Sequence, residues 1–148
     1  MKPFLNPFRE IQPKFSRFYT RLLAKAGLTQ PQYAVLLELT QSDPEPMTMT
    51  AVSCKLHITK PAVTSLVDRL EKNGFLKREN HPHDRRVSLL HLRPKGKKIA
   101  GKMQAQILHQ IMKTVRQFDA RERNTIQKFY SMLSKNLDEV LNNPKDRA

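Results

Sequence analysis

The sequence predicts a mainly α-helical chain interrupted once by a small β-hairpin. Three observations predict it. Apolar residues recur at three- and four-residue spacing in successive segments; Thr, Asp, Pro and Gly stand where such segments start and stop; and one pair of β-prone runs, "FLKRE" and "RVSLLHL", flanks a polar, Pro-containing link.

Taken in order, Phe8, Ile11, Phe15, Phe18 and Leu22 predict an amphipathic helix ending near Ala26-Gly27, with Pro13 kinking it or marking its start. In "LTQPQY", Thr29 caps a second helix, Gln32 is its reciprocal capping-box partner and Leu28 can staple onto Tyr33; the helix runs to about Gln41. "SDPEP" then breaks the chain. Thr48 caps a short helix carrying Val52 and Leu56, His57-Ile58 makes a turn, and Thr59 caps a fourth helix that tolerates Pro61 in its first turn. Val63, Leu66, Val67 and Leu70 form the apolar stripe of that helix, and Asn73-Gly74 stops it.

The two β-prone runs around "NHPHDR" read as a hairpin. Ser88, Leu90 and Leu92 share one face and Val87, Leu89 and His91 the other, and the pattern leaves open which face is buried. Pro94 opens a long helix with Ile99, Met103, Ile107, Ile111, Val115 and Phe118 at near-helical spacing. Asp119 and Glu122 make a capping box for the last helix, which carries Ile126, Phe129, Tyr130, Leu133, Leu137, Val140 and Leu141 and stops before Pro144, leaving "KDRA" as a frayed tail.

The chain thus divides into a leading helix, residues 1–28; a compact middle, 29–93; and two trailing helices, 94–148. A middle so small cannot cover every flanking stripe. The expected solution is a homodimer in which Phe8, Ile11, Phe15, Phe18, Ile126, Phe129, Leu133, Leu137 and Val140 pack between copies.

Within the middle, a helix from Thr48 to Leu56, a tight turn and a helix from Thr59 have the spacing of a helix-turn-helix, and the hairpin that follows makes it winged. The core stripe of the fourth helix turns Pro61, Thr64, Ser65, Asp68, Arg69 and Lys72 outward or to the flank. Short hydroxyls and a forked guanidinium suit base edges and phosphates, while Lys55, Lys60 and Lys72 suit phosphates as point charges. Asp68 would repel a phosphate unless a neighbouring cation neutralises it. The full chain has a formal charge of +14, and residues 55–102 hold thirteen cations against four acids, nine of those fourteen net charges. Such a concentration of one sign points to double-stranded DNA as the partner.

The run "ITKPAVTSLVDRLEKNGFLKRENHPHDRRVSLLHLRPKG", Ile58 to Gly96, resembles the recognition helix and wing of MarR-type transcriptional regulators, and "LTQPQYAVLLEL" is similar to their second helix. The resemblance implies a homodimeric winged-helix repressor on a near-palindromic operator, with residues 59–73 in the major groove and the wing, 75–92, in the minor groove, modulated by a small-molecule ligand or, as in other members, by an oxidant. It implies DNA contacts at Thr59, Lys60, Pro61, Thr64, Ser65 and Arg69, and at a wing element in which Asp84 steadies Arg86; Lys55 and Arg85 join the expected DNA contacts as cations beside these positions. Two positions depart from the pattern. His81 stands where an aspartate is common, and Leu92-Arg93 replaces a Leu-Thr pair, so a capping hydroxyl before the long helix gives way to a cation.

Other classes have less behind them. His81, His83 and Asp84 could suggest a metal-dependent hydrolase, yet three ligands within four residues surround a metal poorly and no HExxH-like second set exists; a metal-responsive sensor using His81 and His83 stays as the alternative. No glycine-rich phosphate loop or catalytic triad order is present, so neither enzyme chemistry nor a cofactor is expected. The aromatics lie on helix stripes, not on the stacking platforms of RNA-binding modules. Cys54, the single cysteine, excludes an intrachain disulfide and reads as a small packed hydrophobe. With no span of about 20 apolar residues and no signal-peptide core at the start, a cytoplasmic protein is expected.

Overall fold

The computed structural model describes residues 2–141, with the side chains of residues 2–6 and Phe8 outside the described set. The expected stop before Pro144 and the "KDRA" tail also lie outside the described residues. The chain divides into two compact units, residues 1–107 and 108–148.

The first unit holds α1 (Lys2–Ala24), α2 (Gln30–Ser42), β1 (Met47–Thr48), α3 (Met49–Leu56), α4 (Lys60–Lys72), β2 (Leu76–His81), β3 (Asp84–Leu92) and the start of α5 (Pro94–Val115). Its core gathers Leu23, Val35, Leu36, Leu39, Val52, Val63, Val67, Leu70, Leu76 and Leu90, all buried, with Ala100, Met103 and Ile107. Leu90 settles the hairpin's ambiguous register: it is fully buried at the centre of the β1-β3-β2 antiparallel sheet, opposite both Met47 and Arg78.

Local sequence explains where the elements begin and end. The Thr29 hydroxyl accepts from Gln32 N–H at 3.4 Å while the Gln32 side chain accepts from Thr29 N–H at 2.9 Å, a complete capping box. Thr48 Oγ1 accepts from Ala51 N–H at 3.0 Å at the start of α3. The end of α4 closes through paired bonds, Phe75 N–H to Leu70 O at 2.9 Å and Gly74 N–H to Glu71 O at 2.8 Å, with Gly74 at a φ of 73°.

Some expectations need correction. α1 runs through Pro7 and Pro13, so Pro13 does not mark its start; each proline removes one N–H from the ladder, and the helix carries on through the remaining bonds. The "NHPHDR" link is largely strand, because pairing extends to His81 and Asp84 and leaves Pro82-His83 as the connection. β1 is new, being too short at two residues to show an alternation. Cys54 is exposed rather than packed: Val52 and Leu56 turn inward on α3, and a residue two positions from each lies on the far side.

The second unit holds the end of α5 and α6 (Ala120–Leu141). Asp119 and Glu122 cap α6 reciprocally, each side chain accepting from the other's N–H at 2.8 Å. Among the described residues α6 buries none, and Phe129, Tyr130, Leu137, Val140 and Leu141 are exposed.

The junction between sheet and α5 admits no side chain at Gly96, where a Cβ would overlap the carbonyl oxygen of Phe75. Since that oxygen belongs to backbone that also accepts from Arg93 N–H at 3.0 Å, it cannot yield cheaply. Gly96→Ala should cost about 2 kcal/mol and lower Tm by roughly 8 °C, read by thermal melting; an unchanged Tm would show that the junction relaxes.

Candidate nucleic-acid interface

α3, the His57-Ile58 turn and α4 form the helix-turn-helix. Ile58 N–H donates to Ser53 O at 3.2 Å, His57 N–H to Cys54 O at 3.3 Å, and the Ser53 hydroxyl donates to Ile58 O at 2.6 Å. His57 sits at a φ of 51°, a left-handed conformation that costs an L-residue about 1–2 kcal/mol. The three bonds hold the turn against that cost and fix the angle at which α4 leaves.

Val63, Val67 and Leu70 anchor α4 to the core, so Pro61, Thr64, Ser65, Asp68 and Lys72 line its exposed face. Thr59 Oγ1 caps the helix by accepting from Ala62 N–H at 3.4 Å and keeps its own O–H to donate. Thr64 does the opposite: its hydroxyl donates to Lys60 O at 3.0 Å and keeps lone pairs to accept. Ser65 is exposed beside them. Lys60 and Arg69 are exposed without an acidic partner among the described residues, whereas Lys55 lies 3.2 Å from Glu38.

In the wing, His81 opposes Asp84 but Asn80 opposes Ser88, so Arg85, Arg86 and Val87 have no partner on β2. Such an irregularity re-aims side chains out of the regular pleat. Asp84 Oδ1 accepts from Arg86 N–H at 3.0 Å and Nε–H at 3.1 Å, and Oδ2 from Nη2–H at 3.4 Å, while the Arg86 side chain remains 91% exposed. The guanidinium is thus held by one edge and presented to solvent by the other. At the tip, His83 N–H donates to His81 Nδ1 at 3.2 Å and the two rings lie 5.9 Å apart. Among the described residues, no three or more His, Cys, Asp or Glu side chains cluster to hold a metal.

Every acid of residues 55–102 has a cationic partner. Arg78 pairs with Asp68 and with Glu71, Lys77 pairs with Glu79, which also lies 3.1 Å from His91, and Arg86 pairs with Asp84. The cation required for Asp68 is therefore Arg78, a residue that sequence reasoning left out of the site. Its available signal was the carboxylate pair at i and i+3, Asp68 and Glu71, on a helix of otherwise basic character.

A helix-turn-helix with a three-stranded wing, a cationic exposed face and a braced arginine at the tip defines a winged-helix domain. Residues 28–88 match the model of the MarR family. The chain is 38% identical over 90 residues to the HTH-type transcriptional regulator TtmR of Methylorubrum extorquens, covering 60% of this chain and 45% of that one. It spans about half the length of the curated relatives it matches. A MarR family protein from Bacillus stearothermophilus superposes with a TM-score of 0.80 at 21% identity, over 92% of this chain and 94% of that one. A variant of Staphylococcus aureus MepR bound to an oligodeoxyribonucleotide superposes with a TM-score of 0.68 at 20% identity, over 93% and 98%.

The brace has a titration signature. The side-chain hydrogen bond from Arg86, then the bond from its backbone, hold the Asp84 carboxyl below its ordinary value of 3.8. A depressed carboxyl keeps its interaction above the ordinary value and loses it only as pH falls through the lowered one. Side-chain NMR should place the Asp84 midpoint below 3.8, and Arg86→Ala should raise it; an unmoved midpoint would show that the contact is not populated.

Proposed function

We propose that this chain is a DNA-binding transcriptional regulator that grips a near-palindromic duplex as a homodimer. In this reading α4 enters the major groove, with Thr59, Lys60, Pro61, Thr64, Ser65 and Arg69 at its surface, and the wing sends Arg86, flanked by Arg85, into the minor groove. The observation that carries it is Arg86, exposed yet braced by Asp84: a narrow A·T-rich minor groove concentrates negative potential and attracts such a guanidinium. The MepR variant bound to an oligodeoxyribonucleotide, alike in fold over nearly the whole chain, supports DNA as the partner. Lys55, held beside Glu38, has the weakest case among the expected contacts.

The arms of the dimer are residues 1–28 and 94–148, and the uncovered face of α6 supports them. Ile11, Phe15, Phe129, Leu137 and Val140 are exposed, Ile126, Leu133 and Phe18 half-buried, and the Phe8 side chain lies outside the described residues. A dimer covering an operator excludes other proteins from it, so repression is the proposed sign, with a small molecule modulating the grip.

Selection from a randomised duplex library should enrich a near-palindrome. Binding to the enriched duplex should fall on the order of 10³-fold between 50 and 200 mM salt if ~6 phosphates are neutralised. Arg86→Ala should weaken it at least 10-fold with Tm unchanged, since an exposed arginine contributes little to stability; absence of enrichment, or a flat salt response, would reject DNA binding.

Leu137→Asp combined with Val140→Asp should convert the dimer to a monomer in sedimentation analysis, because two charges would be buried without partners. A wild-type monomer, or a dimer that survives both changes, would exclude this interface.

A further inference from the structure

We propose that Arg78 is a positioning residue that joins the two reading elements and masks the carboxylates of α4 from DNA. The proposal deepens the DNA-binding reading above and rests on it.

Asp68 continues the exposed stripe of α4: it lies three residues beyond Ser65, four beyond Thr64 and seven beyond Pro61. Glu71 follows three residues later, half-buried, toward the wing. Two carboxylates so close to the reading stripe would repel phosphates and weaken the grip. Arg78 answers both from β2. Its Nη2 pairs with Asp68 Oδ1, its Nε lies 3.1 Å from Glu71 Oε2, and its backbone N–H donates to Glu71 Oε1 at 2.8 Å.

One guanidinium thus lies beside two carboxylates on successive turns, hydrogen-bonded to Asp68 through Nη2 and close to Glu71 through charge alone. Arg78 is itself anchored, its strand position lying opposite the fully buried Leu90, and its side chain is only 28% exposed. It is therefore poorly placed to serve as one more phosphate contact. Its charge is already committed to α4, and its backbone bond ties the wing's first strand to the same helix. The wing cannot then swing relative to α4 without separating charges.

The test uses the full chain and the duplex enriched by the wild type. Arg78→Met and Arg78→Lys, each verified as cooperatively folded at the assay temperature, should bind that duplex at least 10-fold and about 3-fold more weakly at 50 mM salt. The Arg78→Met deficit should shrink as salt rises, because carboxylate repulsion is screened. Adding Asp68→Asn to Arg78→Met should recover most of the loss, and Glu71→Gln part of it, since glutamine still accepts the Arg78 N–H.

A deficit that ignores salt would make Arg78 merely structural and overturn the proposal. A deficit that shrinks with salt but is not rescued by Asp68→Asn would mean that Arg78 contacts phosphate directly, and would overturn it equally. Unfolding of Arg78→Met leaves the decision to Arg78→Lys: its recovery by Asp68→Asn supports masking, and its failure to recover rejects it. If the wild type enriches no duplex, the DNA-binding reading fails, which is distinct from failure of the Arg78 role.

Discussion

The backbone of Phe75 joins three elements whose fixed relations the proposed reading of a duplex would require. Its N–H closes α4 by donating to Leu70 O, its carbonyl accepts from Arg93 N–H ahead of α5, and the same oxygen lies against Gly96. Lys95 completes the junction, donating to Asn73 O at 2.7 Å with its ammonium 5.0 Å from the Phe75 ring centroid. The backbone of one residue thus sets where α4 stops, where the wing starts and where the strand returns to helix. The absent capping hydroxyl at Arg93 loses importance in this setting, because the helix start is fixed through the chain's own backbone and through Pro94 at the first helical position.

A strong positive field alone would make a sticky, indiscriminate surface. Here the local acids give that field its shape: each is matched to a cation, and each pairing leaves a different group presented. Asp84 holds Arg86 outward, whereas Arg78 is turned inward to cover Asp68 and Glu71. Lys60, Arg69, Lys72 and Arg85 retain their charge without an acidic partner among the described residues. Charge pairing in this domain therefore decides which cations can reach a polyanion, and individual exposed pairs of this kind add little to folding stability.

Helix caps were the most legible part of the sequence, because Thr29, Thr48, Thr59, Gly74 and the Asp119-Glu122 pair act on backbone groups a few residues away. The recognition stripe was legible for the same reason, as helical periodicity fixes which residues oppose Val63, Val67 and Leu70. What escaped depends on contacts distant in sequence. Met47 becomes strand only because Leu90 is there to pair with it, and Arg78 meets Asp68 and Glu71 only once the hairpin folds back on α4. The irregular pairing around Arg85, Arg86 and Val87 likewise follows from His81 and Asp84 closing a tighter connection than the polar link suggests.

Affinity from one winged helix is limited by the few groups it offers, so in the proposed dimer the arms would carry weight beyond covering apolar surface. Two reading units held on one frame make the second contact intramolecular, and the gain is lost when their spacing no longer matches the duplex. Palindromic half-sites lie about one helical turn, ~34 Å, apart, which turns arm geometry into a condition for binding. The core packs α5 tightly through Ala100, Met103 and Ile107, beyond which Leu108 and Ile111 are exposed. The packed part of the helix thus belongs to the winged-helix unit and the uncovered part is available to a partner, so in the proposed dimer a disturbance at the arms would change spacing without unfolding either winged helix.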